Sequence, residues 1–191
     1  MSTMLSKHKS IRNLALTALL LAASSAIAAA QTTATGVINA TLINKNGIAL
    51  QFDTDPAGVT LGAASTSAAT AGFGTISAFG PLSAGVTRPS VTAANFTVRT
   101  IFDVQVIQGG LASPSYTLSA NLAAAAPTGM SYKVDAVTLT TTAQTIQING
   151  AYNTDVAHNL DLVVSTATQG AGGPVVNTPI TTTINFTATA N

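Results

Sequence analysis

Past residue 30 the sequence holds one histidine, His158, with Asp155 and Asp161 close on either side. Imidazole nitrogen and carboxylate oxygen are metal ligands, so this trio is the first candidate for a site. If Asn159 to Ser165 forms a strand, however, His158 and Asp161 point to opposite faces, because successive side chains on a strand alternate. No G-x-S-x-G accompanies the histidine, so a serine hydrolase has no nucleophile motif. Asp53 and Asp55 are the best carboxylate pair. Two carboxylates can run glycoside hydrolysis or hold Ca²⁺. In Asp53-Thr-Asp55-Pro-Ala-Gly58 the simpler role is a turn, with the acids accepting from backbone N–H groups and Pro56 and Gly58 setting the bend. The chain has no Glu and no Trp, which removes the usual glycosidase acid and a flat sugar-stacking surface. Of Tyr116, Tyr132 and Tyr152, two sit in strand patterns and read as packing. Gly72 to Gly80 is glycine-spaced, but neither a lysine nor a helix follows it, so it reads as strand and turn and not as a phosphate loop. These residues assign no catalytic group, cofactor or metal, and the chain reads as a non-enzyme.

The elements that would position such residues follow a period of two. In Asn95 to Gln108, Phe96, Val98, Thr100, Phe102, Val104 and Val106 share one face. Thr97, Arg99, Ile101, Asp103 and Gln105 share the other. That is a half-buried antiparallel strand. Similar alternation marks 115–122 (Tyr116, Leu118, Ala120, Leu122), 131–139 (Tyr132, Val134, Leu139) and 144–148 (Ile146, Ile148). It recurs over 159–165 and 180–188. Val37 to Ile43 and Ile48 to Phe52 flank Asn46-Gly47, a hairpin signal, and Val59 to Leu61 follows the aspartate turn. Residues 62–94 read as short strands and loops around Phe73 and Phe79. About eight to ten short strands predict an all-β antiparallel sandwich, with no second domain. An outer-membrane barrel would want aromatic girdles, and aromatics are only 5%.

Composition narrows the class further. Of 191 residues, 47% are hydrophobic and 7% charged, against about 25% charged in an ordinary domain. So little charge argues against nucleic acid as a partner, which needs a basic face, and against exposed helices. Residues 1–30 read as a signal peptide. Lys7, Lys9 and Arg12 precede the apolar run Leu14 to Ala23, and Ala28-Ala29-Ala30 offers a cleavage site before Gln31. The apolar run is shorter than the ~20 residues of a spanning helix, so no transmembrane segment is expected after cleavage. The expected product is one domain, 31–191, in the periplasm, at the cell surface or outside the cell. It carries Lys45, Arg88, Arg99 and Lys133 against six Asp, so its formal charge is 4 − 6 = −2. With no cysteine, disulfides contribute nothing.

An exported Thr/Ala/Gly-rich sandwich of this size resembles bacterial fimbrial or pilin-like subunits of the spore-coat-U and colonisation-factor type. The residues that carry the resemblance are Gly72-Phe-Gly-Thr-Ile76, the long strand 95–108 and the closing Ile184-Asn-Phe-Thr-Ala188. It implies an immunoglobulin-like fold completed by a strand from a neighbouring subunit. It also implies self-association into a homopolymer, with an assembly chaperone as a further partner. The disulfide that many chaperone-assembled pilins carry is absent here. Under this resemblance Gln31 to Ile43 supplies the donor strand, with Ile38, Ala40 and Leu42 entering a groove. The groove core is drawn from Phe96, Val98, Phe102, Val104, Ile184 and Phe186. The other reading pairs 37–43 with 48–52 inside the same subunit. The expected function is a structural subunit of a surface fibre or coat; the alternative is a monomeric adhesin module for glycan or a surface partner.

Overall fold

The computed structural model describes residues 32–40, 47–110, 112–167 and 179–191. The expected export signal, Leu42 and the loop 170–174 lie outside the described residues. Within them the chain is all-β and forms two packed sheets. Sheet A runs in the order β3 (Ala68–Ile76), β1 (Thr32–Ala40), β11 (Ile180–Ala190), β6 (Tyr116–Leu122), β9 (Gln144–Gly150). Sheet B runs β2 (Ile48–Asp53), β5 (Asn95–Gln108), β10 (Asp155–Ser165), β7 (Met130–Val134), β8 (Val137–Thr138), and β4 (Thr87–Val91) also pairs with β5. The strand count is somewhat above the eight to ten expected. Residues from Gln31 onward form one compact unit.

Strict alternation makes β5 the spine of sheet B. Its even-numbered residues from Phe96 to Val106 are all buried, and its neighbours β2, β4 and β10 are all antiparallel to it. β4 pairs with the first part of β5 and β2 with the last part. Thr100 lies between those two stretches. Its hydroxyl accepts from the Val59 amide at 2.9 Å and donates to the Gly85 carbonyl at 3.0 Å, which satisfies a polar group only 1% exposed. The loop passes so close here that a Cβ on Gly58 would sit 1.8 Å from the Ile101 carbonyl oxygen. Val59 and Leu61 are therefore buried, as their pattern suggests, but in a loop and not in a strand.

The two sheets meet in an aromatic cluster. Phe186 of sheet A lies 5.4 Å from Phe52 and 5.7 Å from Phe102 of sheet B, both edge-on. Such pairs add roughly 0.5–1.5 kcal/mol beyond simple burial. One hydrogen bond also joins the sheets through the core, where Thr182 Oγ1 donates to Tyr132 Oη at 2.7 Å.

Four expectations change. Residues 131–139, expected as one strand, are β7 and β8, folded back on each other at Asp135 and Ala136. β1 and β2 do not form a hairpin, because they lie in different sheets. Gly47 has φ +85°, the left-handed backbone that glycine favours, and Asn46 lies outside the described residues. Local turn chemistry, however, does not determine which sheet the next strand joins. The sheets are not wholly antiparallel, since β1 runs parallel to β11. Ile146 packs against the core, but Ile148 is 68% exposed. β9 carries two register shifts against β6, and Asn149 has φ +54°, so the alternation breaks before Ile148.

Candidate functional site

β1 is the terminal element of the described chain, and it lies between β11 and β3. Ile38 faces Ile184 across the parallel pair and Ala69 across the antiparallel one. Ala34, Gly36 and Ile38 face inward, and Ile38 is fully buried. Ala40 pairs with Phe186 through the backbone. Ile38 and Ala40 thus belong to one strand within their own subunit, in a position the hairpin reading did not anticipate.

The expected groove residues divide into two groups. Ile184 and Phe186 stand on β11, directly beside β1. Phe96, Val98, Phe102 and Val104 stand on β5 in the opposite sheet, all buried. Only Phe102 is joined to Phe186 by direct ring contact. Lifting β1 out would expose one side of β11 and one side of β3, and would leave unpaired backbone N–H and C=O groups along both strands.

The histidine trio is not assembled. His158 faces inward from β10, whereas Asp155 and Asp161 face outward. His158 instead meets Asp135, which the sequence reading did not single out. Its Nδ1 lies 2.5 Å from Asp135 Oδ2, and the Asn159 amide donates to Asp135 Oδ1 at 2.8 Å. An ionised carboxylate can only accept, so with Asp135 ionised the bond runs from Nδ1–H to Oδ2. Nε2 is left as a buried atom with no hydrogen-bond partner among the described residues, in a ring 5.9 Å from that of Phe102. Burial alone would raise the Asp135 pKa, but the bonds from His158 and Asn159 outweigh it and hold the carboxyl below the usual range. Asp135 and Ala136, at φ +48° and +71°, form the two-residue turn between β7 and β8. The signal for this pair was Val134-Asp-Ala-Val137, a short polar break between apolar residues.

Asp161 forms a two-pronged pair with Arg99. Arg99 Nε donates to Oδ1 at 2.6 Å and Nη2 to Oδ2 at 2.8 Å, directly across the β5–β10 register. The hydrogen bond to Asp161 raises the Arg99 pKa further. Asp55 keeps to turn chemistry, whereas Asp53 ends β2 and its carboxylate accepts from Ser65 Oγ at 2.5 Å and Gln51 Nε2 at 3.4 Å. Asp55 Oδ1 accepts from the Ala57 amide at 2.6 Å, and its carbonyl accepts from Gly58 at 3.0 Å. Among the described residues no three His, Cys, Asp or Glu side chains gather to hold a metal. Tyr116 and Tyr132 are buried, as expected, and burial raises the pKa of both. Gly72–Gly80 runs from β3 into a turn. There Arg88 donates to the Ser77 and Gly80 carbonyls and Phe79 stands 81% exposed.

Comparison with family models and with curated proteins finds no match. Among the described residues no helix is long and apolar enough to cross a membrane.

Proposed function

We propose that the protein is an exported structural subunit of a bacterial surface fibre or coat, not an enzyme, and that copies join by β-strand addition. One observation carries this reading: the first strand of the domain fills a slot between β3 and β11 and is parallel to β11, the one parallel pairing among the described strands. Parallel pairing is slightly weaker per residue than antiparallel. A neighbour's copy of the same segment can enter the slot in the direction β1 takes, place Ala34, Gly36 and Ile38 inward, and remake the pairings to β11 and β3. The exchange links subunits in series without new chemistry. An assembly chaperone would fill the same slot beforehand.

The test is direct. Sheared surface material, or purified mature chain, is run on SDS gels with and without boiling and viewed by negative stain. A heat-sensitive ladder with filaments is expected. Deleting residues 31–40 should abolish the ladder, and a peptide spanning 31–46 should rescue a folded monomer. A clean monomer at high concentration, or a ladder untouched by the deletion, overturns the proposal.

The alternative of a monomeric binding module rests on Phe79, held out on its turn by Arg88. It expects Phe79→Ala to abolish adhesion of the monomer and leave folding unchanged.

A further inference from the structure

The two sheets differ in one property that strand addition does not use. All six aspartates, with Arg88, Arg99 and Lys133, lie on strands of sheet B or in the turns that leave them. The five strands of sheet A contain no Asp, Glu, Lys, Arg or His. On the central strand β11, the outward positions from 181 to 189 are all threonine except Asn185. Register places Asn39, Asn185 and Asn121 in one row, with Thr187 beside Ser119 in the next.

Such a face is inexpensive to bury. It holds no ion to strip of water, its hydroxyls and amides can bond to a matching row, and the threonine methyls add apolar area. Five strands about 4.8 Å apart and some nine residues long, at ~3.3 Å per residue, cover roughly 700 Å². Two such faces bury about 1,400 Å², within the range of a stable protein interface. Twisted sheets pack face to face at about −30° as a matter of course. Sheet B has no such option, because its six carboxylates outnumber its three cations and a second copy would meet its own net negative charge.

We propose that the outward face of sheet A is the surface through which two copies of this chain pack, face to face about a two-fold axis. Strand addition is not required for it. That exchange would join subunits end to end through the β1 slot, whereas this face joins them side by side.

The experiment is sedimentation equilibrium of the mature chain up to roughly millimolar concentration. A reversible dimer is expected. Thr183→Lys and Thr187→Lys, both outward on β11, should each weaken it at least about tenfold, because the two-fold axis brings like charges together. Ala157→Lys, outward on sheet B, should leave it unchanged. As the natural chain has no cysteine, Asn185→Cys reports the contact covalently. Oxidation should give a disulfide-linked dimer, and Ala157→Cys should not. A monomer throughout the range overturns the proposal. So do lysine variants that dimerise like the parent, or an Asn185→Cys chain that cross-links no better than Ala157→Cys. In fibres, the lysine variants should leave single filaments and remove side-by-side pairs. Filaments absent while the dimer persists would count against strand addition alone.

Discussion

Sheets A and B contribute alike to one core and differ in what they show outside it. Both send alternate residues inward, and the ring cluster Phe52–Phe102–Phe186 draws on each. Outside, sheet B is a mosaic of paired and opposed charges. Arg99 grips Asp161, while Asp53 stands directly opposite Asp103 with Asp55 and Asp155 near by. Sheet A presents threonine, serine and asparagine. Threonine meets both demands of such a face, since its branched Cβ suits the strand and its hydroxyl keeps the surface wet without charge. The low overall charge of the chain is therefore not an even dilution. It is the sum of one ordinary sheet and one uncharged sheet.

If the core is shared equally, truncation should cost the same from either side. Phe186→Ala in sheet A and Phe102→Ala in sheet B should each lose about 3–5 kcal/mol in urea unfolding, the range for a buried phenylalanine. A much smaller loss for Phe186 would mean that sheet A is the looser partner. The next effect tests the bond between the sheets. Thr182→Val removes the hydroxyl that Tyr132 accepts from and strands a buried phenol, at about 1–3 kcal/mol. Adding Tyr132→Phe should recover part of that loss, because no polar atom is then left without a partner. A double variant as unstable as the sum of the singles would show that the two groups do not interact.

The strands that alternate cleanly were legible in the sequence. β5, β6, β10 and β11 lie where the pattern places them, because period 2 with polar outer positions reflects burial on one face. What failed was pairing. Residues 37–43 read as a strand from the sequence and the observed strand is 32–40, but its parallel partner lies at the other end of the chain, and no local pattern encodes a contact between the first strand and the last. Ile148 misled because two register shifts interrupt the alternation, and the sequence does not mark a bulge. The His158–Asp135 pair was out of reach for a different reason. The carboxylates beside His158 in sequence are Asp155 and Asp161, whereas the one it meets comes from a turn on the adjacent strand pair. The turn reading holds for Asp55 because Asp-Pro-Ala-Gly is local chemistry, satisfied within a few residues, whereas Asp53 finds its partner in Ser65, beyond that turn.

The smallest effects separate two carboxylates of sheet B by sign. Asp135 has a lowered pKa, so the unfolded chain binds its proton more readily than the native one. Its contribution to stability is present above the ordinary carboxylate range and is lost as pH falls through the native value. Asp135→Asn should flatten that acid-side loss in thermal melts and lower stability near neutrality. Asp103 has a raised pKa, first from burial and then from the carboxylates of Asp55, Asp155 and Asp53. Here the native state takes up the proton first, so acidification through the native value adds stability instead of removing it. Asp103→Asn should therefore stabilise the protein near neutral pH, by about a few tenths of a kcal/mol because the side chain is only partly buried and its neighbours' charges are screened. The gain should shrink as salt is added and vanish once the pH falls below the carboxylate range. A stabilisation that survives in acid would mean that the side chain matters for its packing, and that sheet B tolerates its opposed aspartates at no cost.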